Sequence, residues 1–291
     1  MKFAPFTYHD PETIEEVVAL IGGVDNGRIL AGGQSLLAMM AMRYAQPDHL
    51  IDLRKVSDIA NIEEADDVVT IGSMVRQSEI EFSGLVADRL PLLKEAVLNV
   101  GHRQTRNRGT LGGSLCHLDP SAEQVCAAAA FDAELIVQGP VGRRSIPISE
   151  WSLGFMTPNL APDEFLIGVR FVPWPVEHGW CFTEVARRHG DFAIVCAAAL
   201  VELDDDGCFA RVSLSLGGAA HVPVRLADAE RGLVGQRADI AVIREASEAA
   251  RQIEAISDPF ASAKVRSHLA CAVARRALDA AAQRAKNFRV S

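Results

Sequence analysis

The sequence predicts an α+β protein of two domains. Apolar residues recur at helical spacing in some segments and in short alternating or continuous strands in others. The length of 291 residues suggests roughly two domains. The break Pro173-Trp174-Pro175 separates a mixed N-terminal part from a C-terminal part that reads as a strand pair followed by helices rich in Ala and Arg. We therefore expect domains over residues 1–175 and 176–291.

The first fifty residues predict alternating helices and strands. After the cap signal Asp10-Pro11, residues 12–20 have the apolar spacing of a short amphipathic helix. Residues 28–31 form a strand that enters Gly32-Gly33, and a helix follows from Ser35 until Pro47 stops it. A second strand is expected over His49–Leu53.

Further elements follow in the same order as their patterns. A hairpin is expected from Ile59–Ile62 and Val68–Ile71, split by an acidic run, and a helix over Leu85–Val100. A long polar loop punctuated by glycines should fill residues 101–114. The remaining predictions are a helix over 122–131, strands over 135–138, 144–148 and 164–171, a hairpin of 193–203 and 209–216, and helices within 224–232, 240–253 and 262–285.

Composition excludes several function classes. The chain carries 29 basic and 38 acidic residues, a net charge of −9, which repels phosphate backbones and anionic membranes. Its longest apolar run, residues 192–201, is about half of what a membrane-spanning helix needs, and no secretory apolar region precedes Asp10. We expect a cytoplasmic protein that binds no nucleic acid and has no membrane span.

The cysteines do not follow a metal-site pattern. Cys116, Cys126, Cys181, Cys196, Cys208 and Cys271 are separated by 10, 55, 15, 12 and 63 positions, without a Cys-x-x-Cys pair or histidines at ligand spacing. We expect no zinc and no iron–sulfur cluster in this chain. Most of these cysteines lie in apolar runs and are interpreted as small core residues in a reducing compartment.

Two glycine pairs are the main functional signal. They lie in Leu30-Ala31-Gly32-Gly33-Gln34-Ser35-Leu36 and in Thr110-Leu111-Gly112-Gly113-Ser114. Glycine lets backbone N–H groups approach a diphosphate closely and tolerates the positive φ of a concave turn. Ser35 could cap the following helix, whose dipole would favour an anion. A single Gly-Gly pair is also compatible with an ordinary tight turn, but two such segments favour a dinucleotide.

Other nucleotide and hydrolase signatures are absent from the sequence. It contains no Gly-x-Gly-x-x-Gly and no Gly-x-x-x-x-Gly-Lys-Ser/Thr, which disfavours a Rossmann domain or a P-loop kinase. A nucleophile elbow is also missing, because Gly33-Gln34-Ser35 continues into Leu36-Leu37.

Five motifs in one order resemble a known family. The chain is similar to the medium, FAD-binding subunit of the molybdenum hydroxylases, the group of bacterial carbon monoxide dehydrogenase and xanthine dehydrogenase. The motifs are Ala31-Gly32-Gly33-Gln34-Ser35-Leu36, His49-Leu50-Ile51-Asp52-Leu53, Arg106-Asn107-Arg108-Gly109-Thr110-Leu111-Gly112-Gly113-Ser114, Asp119-Pro120-Ser121-Ala122-Glu123 and Ala186-Arg187-Arg188-His189-Gly190-Asp191-Phe192-Ala193.

The resemblance implies a fold and a set of partners. The fold is the p-cresol methylhydroxylase-type FAD-binding fold, with two α/β subdomains of about 1–57 and 58–175 that clasp FAD, and a C-terminal sheet-and-helix domain. A large subunit would hold the molybdenum cofactor and a small subunit two [2Fe-2S] clusters, with a dimer of heterotrimers as the assembly. This chain would pass electrons from the clusters to an outside acceptor.

The resemblance also implies a cofactor site without a catalytic acid or base. Both glycine segments would hold the pyrophosphate, Glu123 would lie near the sugar chain, His117 would line the flavin cleft, and the main chain around Leu166 would touch the ring. The implied cofactor-binding residues are Leu30, Ala31, Gly32, Gly33, Gln34, Ser35, Leu36, Leu37, Thr110, Leu111, Gly112, Gly113, Ser114, His117, Glu123, Leu166 and Phe192.

Several residues keep two interpretations. Phe192 is either an aromatic beside the flavin ring or a core residue that starts a strand. The cluster Arg103, Arg106 and Arg108 is either a phosphate clamp or a solvated or interface surface. Arg187 and Arg188 either favour a reduced anionic flavin or pair with Asp191.

The alternative function is a self-contained flavin oxidoreductase that acts on a small organic substrate at the ring. Such an enzyme needs its own proton-handling residue, and no Tyr/His pair near Phe192 supports one. A non-catalytic interaction protein that kept the fold is the third possibility, and the intact glycine segments disfavour it.

Overall fold

A computed structural model describes residues 2–290, and it contains three main β-sheets with helices packed against them. The strands are β1 (Thr7–His9), β2 (Gly27–Leu30), β3 (His49–Asp52), β4 (Ile62–Ala65), β5 (Val68–Gly72), β6 (Glu134–Gly139), β7 (Gly142–Pro147), β8 (Ser152–Gly154), β9 (Thr157–Pro158), β10 (Phe165–Phe171), β11 (Gly179–Val185), β12 (Val195–Leu203), β13 (Phe209–Gly217) and β14 (Val224–Arg225). The helices are α1 (Ile14–Gly23), α2 (Leu36–Ala41), α3 (Gln77–Phe82), α4 (Gly84–Arg89), α5 (Pro91–Asn99), α6 (Arg103–Arg106), α7 (Leu111–His117), α8 (Glu123–Ala130), α9 (Ile148–Trp151), α10 (Ala227–Leu233), α11 (Ile240–Ser247) and α12 (Ala263–Val290).

The first sheet is parallel and places the first glycine pair at its edge. Its order is β1-β3-β2, and β2 runs beside β3 with Leu30 opposite Asp52. Gly32-Gly33 therefore follows the carboxyl end of a parallel strand and precedes α2, which is where α/β sheets commonly bind ligands.

The second sheet is antiparallel, with the order β4-β5-β10-β6-β7. The strand β10 carries a bulge between Leu166 and Gly168. Ile167, the residue in this bulge, accepts a hydrogen bond from the N–H of Ser73. A bulge bends its strand locally, and this one faces the segment that supports the second glycine pair.

The third sheet, β11-β12-β13-β14, is antiparallel and buried on both faces. Along β12, Cys196, Ala198 and Leu200 pack with the helices α5 and α8, whereas the alternating residues between them pack against α12. Successive side chains of a strand point to opposite faces, so burial on both faces requires an uninterrupted apolar run. This explains the apolar run of residues 192–201.

Small residues allow the helices to approach this sheet closely. The long helix α12 presents Ala274, Ala277 and Ala281 to β11 and β12, and all three are fully buried. A Cβ on Gly179 would overlap the Ala281 carbonyl oxygen. On the opposite face every residue of α8 is buried, in keeping with its alanine run.

Several predicted elements need correction. The predicted helix 85–100 is split into α4 and α5, because Pro91 lacks an N–H and begins a new helix. The predicted loop 101–114 contains α6 and the start of α7, so the second glycine pair lies in the first turn of a helix. The helix α2 ends at Ala41, well before Pro47. Just after its end, Arg43 takes a left-handed conformation with φ +63°.

The first hairpin and first helix also differ in their boundaries. Residue Ile59 belongs to a 3-10 turn, and the acidic run reaches into β4, so that the connection is only Asp66-Asp67, both with positive φ. Two consecutive residues with positive φ form the tight turn that suits a two-residue hairpin. The helix α1 begins at Ile14, with Thr13 rather than Asp10 as its cap.

Candidate functional site

A cavity of about 1010 Å³ runs between the first two sheets and reaches the end of the third. Its walls include Ala31–Leu36, Thr110 with Gly112–Ser114, part of β10, and the residues just before β12. This volume is at the upper end of the range for ligand pockets and suits an extended ligand such as a dinucleotide.

The first glycine segment, Ala31–Leu36, presents unused hydrogen-bond donors. Within residues 2–290, the backbone N–H groups of Gly33, Gln34, Ser35 and Leu36 have no acceptor. Gly33 has φ +73°, which favours glycine, and the Ser35 side chain makes no capping bond. Consecutive N–H groups in a turn before a helix form a concave site for an anion.

The second glycine segment, Thr110–Ser114, behaves differently. The N–H groups of Leu111 and Gly112 donate to the carbonyl oxygens of Val75 and Ser73, at 3.1 and 2.9 Å. The N–H of Gly113 donates to the Thr110 hydroxyl, and that of Ser114 to the Thr110 carbonyl. All four N–H groups are therefore engaged, and φ is not positive at Gly113. This segment therefore contributes to the cavity wall but provides no free backbone N–H donor among these four residues.

Missing Cβ atoms let Gly32 pack against Arg108–Gly109, just before the second glycine segment, and let Gly112 pack against Ser73. A Cβ on Gly32 would overlap the Arg108 carbonyl oxygen and lie 2.7 Å from Gly109 Cα. A Cβ on Gly112 would lie 2.5 Å from Ser73 Cβ, and one on Gly113 would lie 3.4 Å from Ala31 Cβ. The separations at Gly32 and Gly112 are shorter than real Cβ contacts, so only glycine permits the backbone to pack this closely at these two positions.

Two further polar atoms in the wall lack partners. The hydroxyl of Ser73 and the Oε1 atom of Gln77 are buried without a hydrogen bond within the described residues, and both residues line the cavity. Buried polar groups are normally paired. Together with the free N–H groups of the first glycine segment, these atoms fit a polar ligand such as a dinucleotide.

Three titratable groups in the cavity lining are neutral at pH 7 because of burial. Burial raises the pKa of Glu123 to about 8 and that of Cys116 to about 12. Burial also lowers the pKa of His117, against the opposing effect of Asp119. At pH 7 this part of the lining therefore carries a protonated carboxyl, a thiol and a neutral imidazole.

The short loop just before β12 forms another part of the cavity wall. Asp191 forms ion pairs with Arg187 and Arg188, at 3.4 and 3.2 Å, so this pairing is the interpretation that the structure supports. The Arg187 guanidinium also lies 4.2 Å from the centroid of the Phe260 ring. Phe192 follows, with 67 % of its surface exposed at the cavity, which rules out the core interpretation.

Most of the predicted site residues line this one cavity. They are Ala31, Gly32, Gly33, Gln34, Ser35, Leu36, Thr110, Gly112, Gly113, Ser114, His117, Glu123, Leu166 and Phe192. Leu30, Leu37 and Leu111 do not line it, because their side chains pack into hydrophobic clusters behind the glycine segments.

The arginine cluster does not form a clamp in this cavity. Arg106 is buried, pairs with Glu81 at 2.8 Å, and does not line the cavity. Arg103 and Arg108 are exposed outside it, and Arg103 contacts the Phe82 ring. The phosphate-clamp interpretation is therefore wrong for this geometry.

Sequence reasoning missed several lining residues. Arg28, Tyr44, Ser73, Gln77 and Met156 line the cavity, and Tyr44 is 78 % exposed. Tyr44 follows α2 and Arg28 lies in β2, so both flank the first glycine segment, and their proximity to it was the available signal. For Ser73 and Gln77 the sequence contains no such signal, because they are brought to the cavity by backbone hydrogen bonds with residues 109–112.

In residues 2–290, no three His, Cys, Asp or Glu side chains form a group that could hold a metal ion. No helix in this range combines the length and the apolar character needed to cross a membrane.

Two family models match the chain. The model described as "FAD binding domain in molybdopterin dehydrogenase" matches residues 4–175, and "CO dehydrogenase flavoprotein C-terminal domain" matches residues 180–281. The "Nicotine 6-hydroxylase medium subunit" of Paenarthrobacter nicotinovorans is 37 % identical over 285 residues, which are 98 % of this chain and 100 % of that protein.

Solved structures show the same fold. A chain of carbon monoxide dehydrogenase from Hydrogenophaga pseudoflava is 33 % identical, with a TM-score of 0.95 over 98 % of this chain and 99 % of that one. A chain of quinoline 2-oxidoreductase from Pseudomonas putida 86 is 34 % identical, with a TM-score of 0.93 over 97 % and 99 %.

Proposed function

This chain belongs to the family of FAD-binding flavoprotein subunits of the molybdopterin dehydrogenases, and we propose that it transfers electrons within such an oxidoreductase. Electrons would arrive from [2Fe-2S] clusters in a small partner subunit, after oxidation of a substrate at the molybdenum cofactor of a large one. They would leave through FAD to an external acceptor. The observation that carries this proposal is the single cavity in which both glycine segments meet.

We assign distinct tasks to the two glycine segments. The N–H groups of Gly33, Gln34, Ser35 and Leu36 would donate to the FAD diphosphate, since they have no other acceptor in residues 2–290. The second glycine segment would form the opposite wall, where Gly113 lines the cavity without a side chain and Gly112 allows close packing on Ser73. Bound FAD supplies the redox chemistry, and this chain binds it, orients it and sets its surroundings.

The remaining predicted residues would contact the rest of the cofactor. Glu123, His117, Leu166 and Phe192 all line the cavity. We place the flavin end at these residues and propose that Phe192, which is exposed, lies beside the ring at the opening through which an acceptor approaches. No side chain of this chain is needed as a general acid or base for that transfer.

The names of the relatives support the partner proposal. Several are called medium subunit or medium chain, which implies further subunits in those enzymes. We propose a large and a small partner for this chain, in a dimer of heterotrimers in the cytoplasm.

We also propose the domain division at residues 175/176, with a further division near residue 57, where the parallel and antiparallel sheets separate.

The test is purification of the native complex through a tag on this chain. We expect three different subunits, with absorption from flavin and iron–sulfur clusters and one FAD for each copy of this chain. Anaerobic reduction followed by a jump to oxygen or a quinone should show flavin reoxidation together with the clusters. A stable monomer that oxidises an organic substrate unaided would refute the proposal and favour the self-contained flavin enzyme.

A further inference from the structure

Two carboxyl groups interact beside the cavity, that of Glu123, which is buried, and that of Glu184, which is partly buried. Glu123 begins α8, is 6 % exposed, and lines the cavity. Glu184 lies in β11, and its Oε2 atom is buried without a hydrogen-bond partner in residues 2–290. Neither carboxylate has an ion pair within these residues.

The packing of the third sheet on α8 brings the two groups together. Glu184 pairs with Cys196 across β11 and β12, and Cys196 pairs with Gly217 of β13. A Cβ on Gly217 would lie 3.3 Å from Cys126 Cβ, and Cys126 is one helical turn after Glu123 on the same side of α8. The end of the sheet that carries Glu184 therefore rests on the first turn of α8.

Within residues 2–290, the groups that shift the pKa values of Glu123 and Glu184 include no cation. The groups that face Glu123 are its own backbone N–H, Glu184 of β11 and Asp119 of the preceding loop. The groups next to Glu184 across the strands are Cys196 and, through it, Cys126, both buried thiols. His117, on α7, faces Asp119 and is uncharged because burial lowers its pKa. An isolated buried carboxylate is costly, and two neighbouring ones more so.

We propose that Glu123 and Glu184 form a buried acid pair, so that Glu123 enters the cavity as a neutral carboxylic acid and donates a hydrogen bond to an oxygen of FAD. A neutral carboxyl has one O–H donor, whereas a carboxylate can only accept. Binding of FAD is then linked to retention of a proton at Glu123. This proposal rests on FAD as the occupant of the cavity and adds the protonation state in which it is bound.

The pKa values agree with this arrangement. Burial raises the pKa of Glu123 to about 8, with Glu184 and Asp119 adding to the rise, and burial raises the pKa of Glu184 to about 7. Because the two sites interact, they titrate as a pair rather than separately. Above about pH 8 the second proton leaves, and the O–H donor is lost.

The experiment measures the dissociation constant of FAD in the assembled complex, after reversible removal of FAD, from pH 6 to pH 10. We expect a constant value at low pH and a rise that approaches tenfold for each pH unit above about pH 8. Glu123→Gln, which keeps an N–H donor but cannot ionise, should make the value independent of pH. Glu184→Gln should move the midpoint to lower pH, because it removes the negative neighbour.

Controls and refuting outcomes are specific. Glu177→Gln changes the same charge at an exposed position outside the cavity and should leave the wild-type pH profile intact. In the infrared spectrum at pH 7, the protonated-carboxyl band of the wild-type complex should lose the intensity due to Glu123 in Glu123→Gln, whereas any part due to Glu184 remains. An FAD affinity that stays flat or improves as the pH rises, or a missing carboxyl band, would overturn the acid pair alone. A complex that binds no FAD at any pH would overturn the proposed function as well.

Discussion

Replacement of Gly32 by alanine tests the close packing of the first glycine segment on Arg108–Gly109, the residues just before the second segment. The new Cβ would lie 2.7 Å from Gly109 Cα, whereas ordinary contacts begin at 3.4 Å. The turn must therefore move by at least about 0.7 Å, the difference between these two distances, because the Arg108 carbonyl oxygen is closer still and these backbone atoms cannot rotate away. That movement takes the donors of the first glycine segment away from a ligand held against the second.

The size of the effect follows from one hydrogen bond. Lengthening an N–H···O contact of about 2.9 Å by this amount moves it beyond hydrogen-bonding distance. A hydrogen bond to a charged phosphate contributes about 1.5–3 kcal/mol, so about 2 kcal/mol would be lost. Since 1.4 kcal/mol corresponds to a factor of ten, the dissociation constant of FAD should rise about 30-fold.

The assay is FAD titration of the deflavinated complex, followed by absorbance, with FAD content after purification as a second measure. Gly232→Ala is the matched control, because its Cβ would meet nothing within 4 Å in the helix α10. This control should stabilise the helix by about 0.5–1 kcal/mol without changing FAD affinity. If Gly32→Ala bound FAD as tightly as the wild type, the glycine segments would not be the diphosphate site.

Three further predictions follow from the same cavity. Gly33→Ala should destabilise the first glycine segment by about 1–2 kcal/mol, because Gly33 has φ +73°. The measurement is the urea midpoint of the FAD-free complex, which should fall. An unchanged midpoint would argue against this backbone conformation. Backbone amides of residues 33–36 should exchange hydrogen rapidly without FAD and slowly when FAD is bound. Those of residues 111–114 should exchange slowly in both states. If FAD slowed exchange equally in both segments, their separate tasks would be contradicted. Phe192→Ala should alter the flavin absorption spectrum and its reoxidation rate, and an unchanged spectrum and rate would remove Phe192 from the ring site.

The sequence predicted the residues of the site better than their roles. The α+β class, the FAD family and the clustering of the glycine segments with His117, Glu123 and Phe192 in one cavity were expected. That both segments hold the pyrophosphate stays a prediction, but the N–H groups of the second segment already donate within the protein. A Gly-Gly pair cannot reveal from its letters whether it needs a positive φ, as at Gly33, or close packing, as at Gly112.

Features that depend on distant segments were beyond the sequence. Arg106 appeared as one of three surface arginines, but Glu81, 25 positions earlier, holds it in a buried ion pair. Ser73 and Gln77 reach the cavity only because residues 73–77 bond to the backbone of residues 109–112. The pairing of Glu123 with Glu184 likewise depends on the third sheet packing on α8, which no local pattern records.

The burial of β12 on both faces has a consequence for how the molecule comes apart. One hydrophobic cluster joins side chains of β12 with those of α5 and α8, so the C-terminal sheet and the FAD-binding part share an interior. Separation of the two parts would expose the apolar side chains of this shared interior to water, which is unfavourable. Heat should therefore denature the two parts in a single cooperative transition, and a protease should find no intermediate in which one part survives intact without the other.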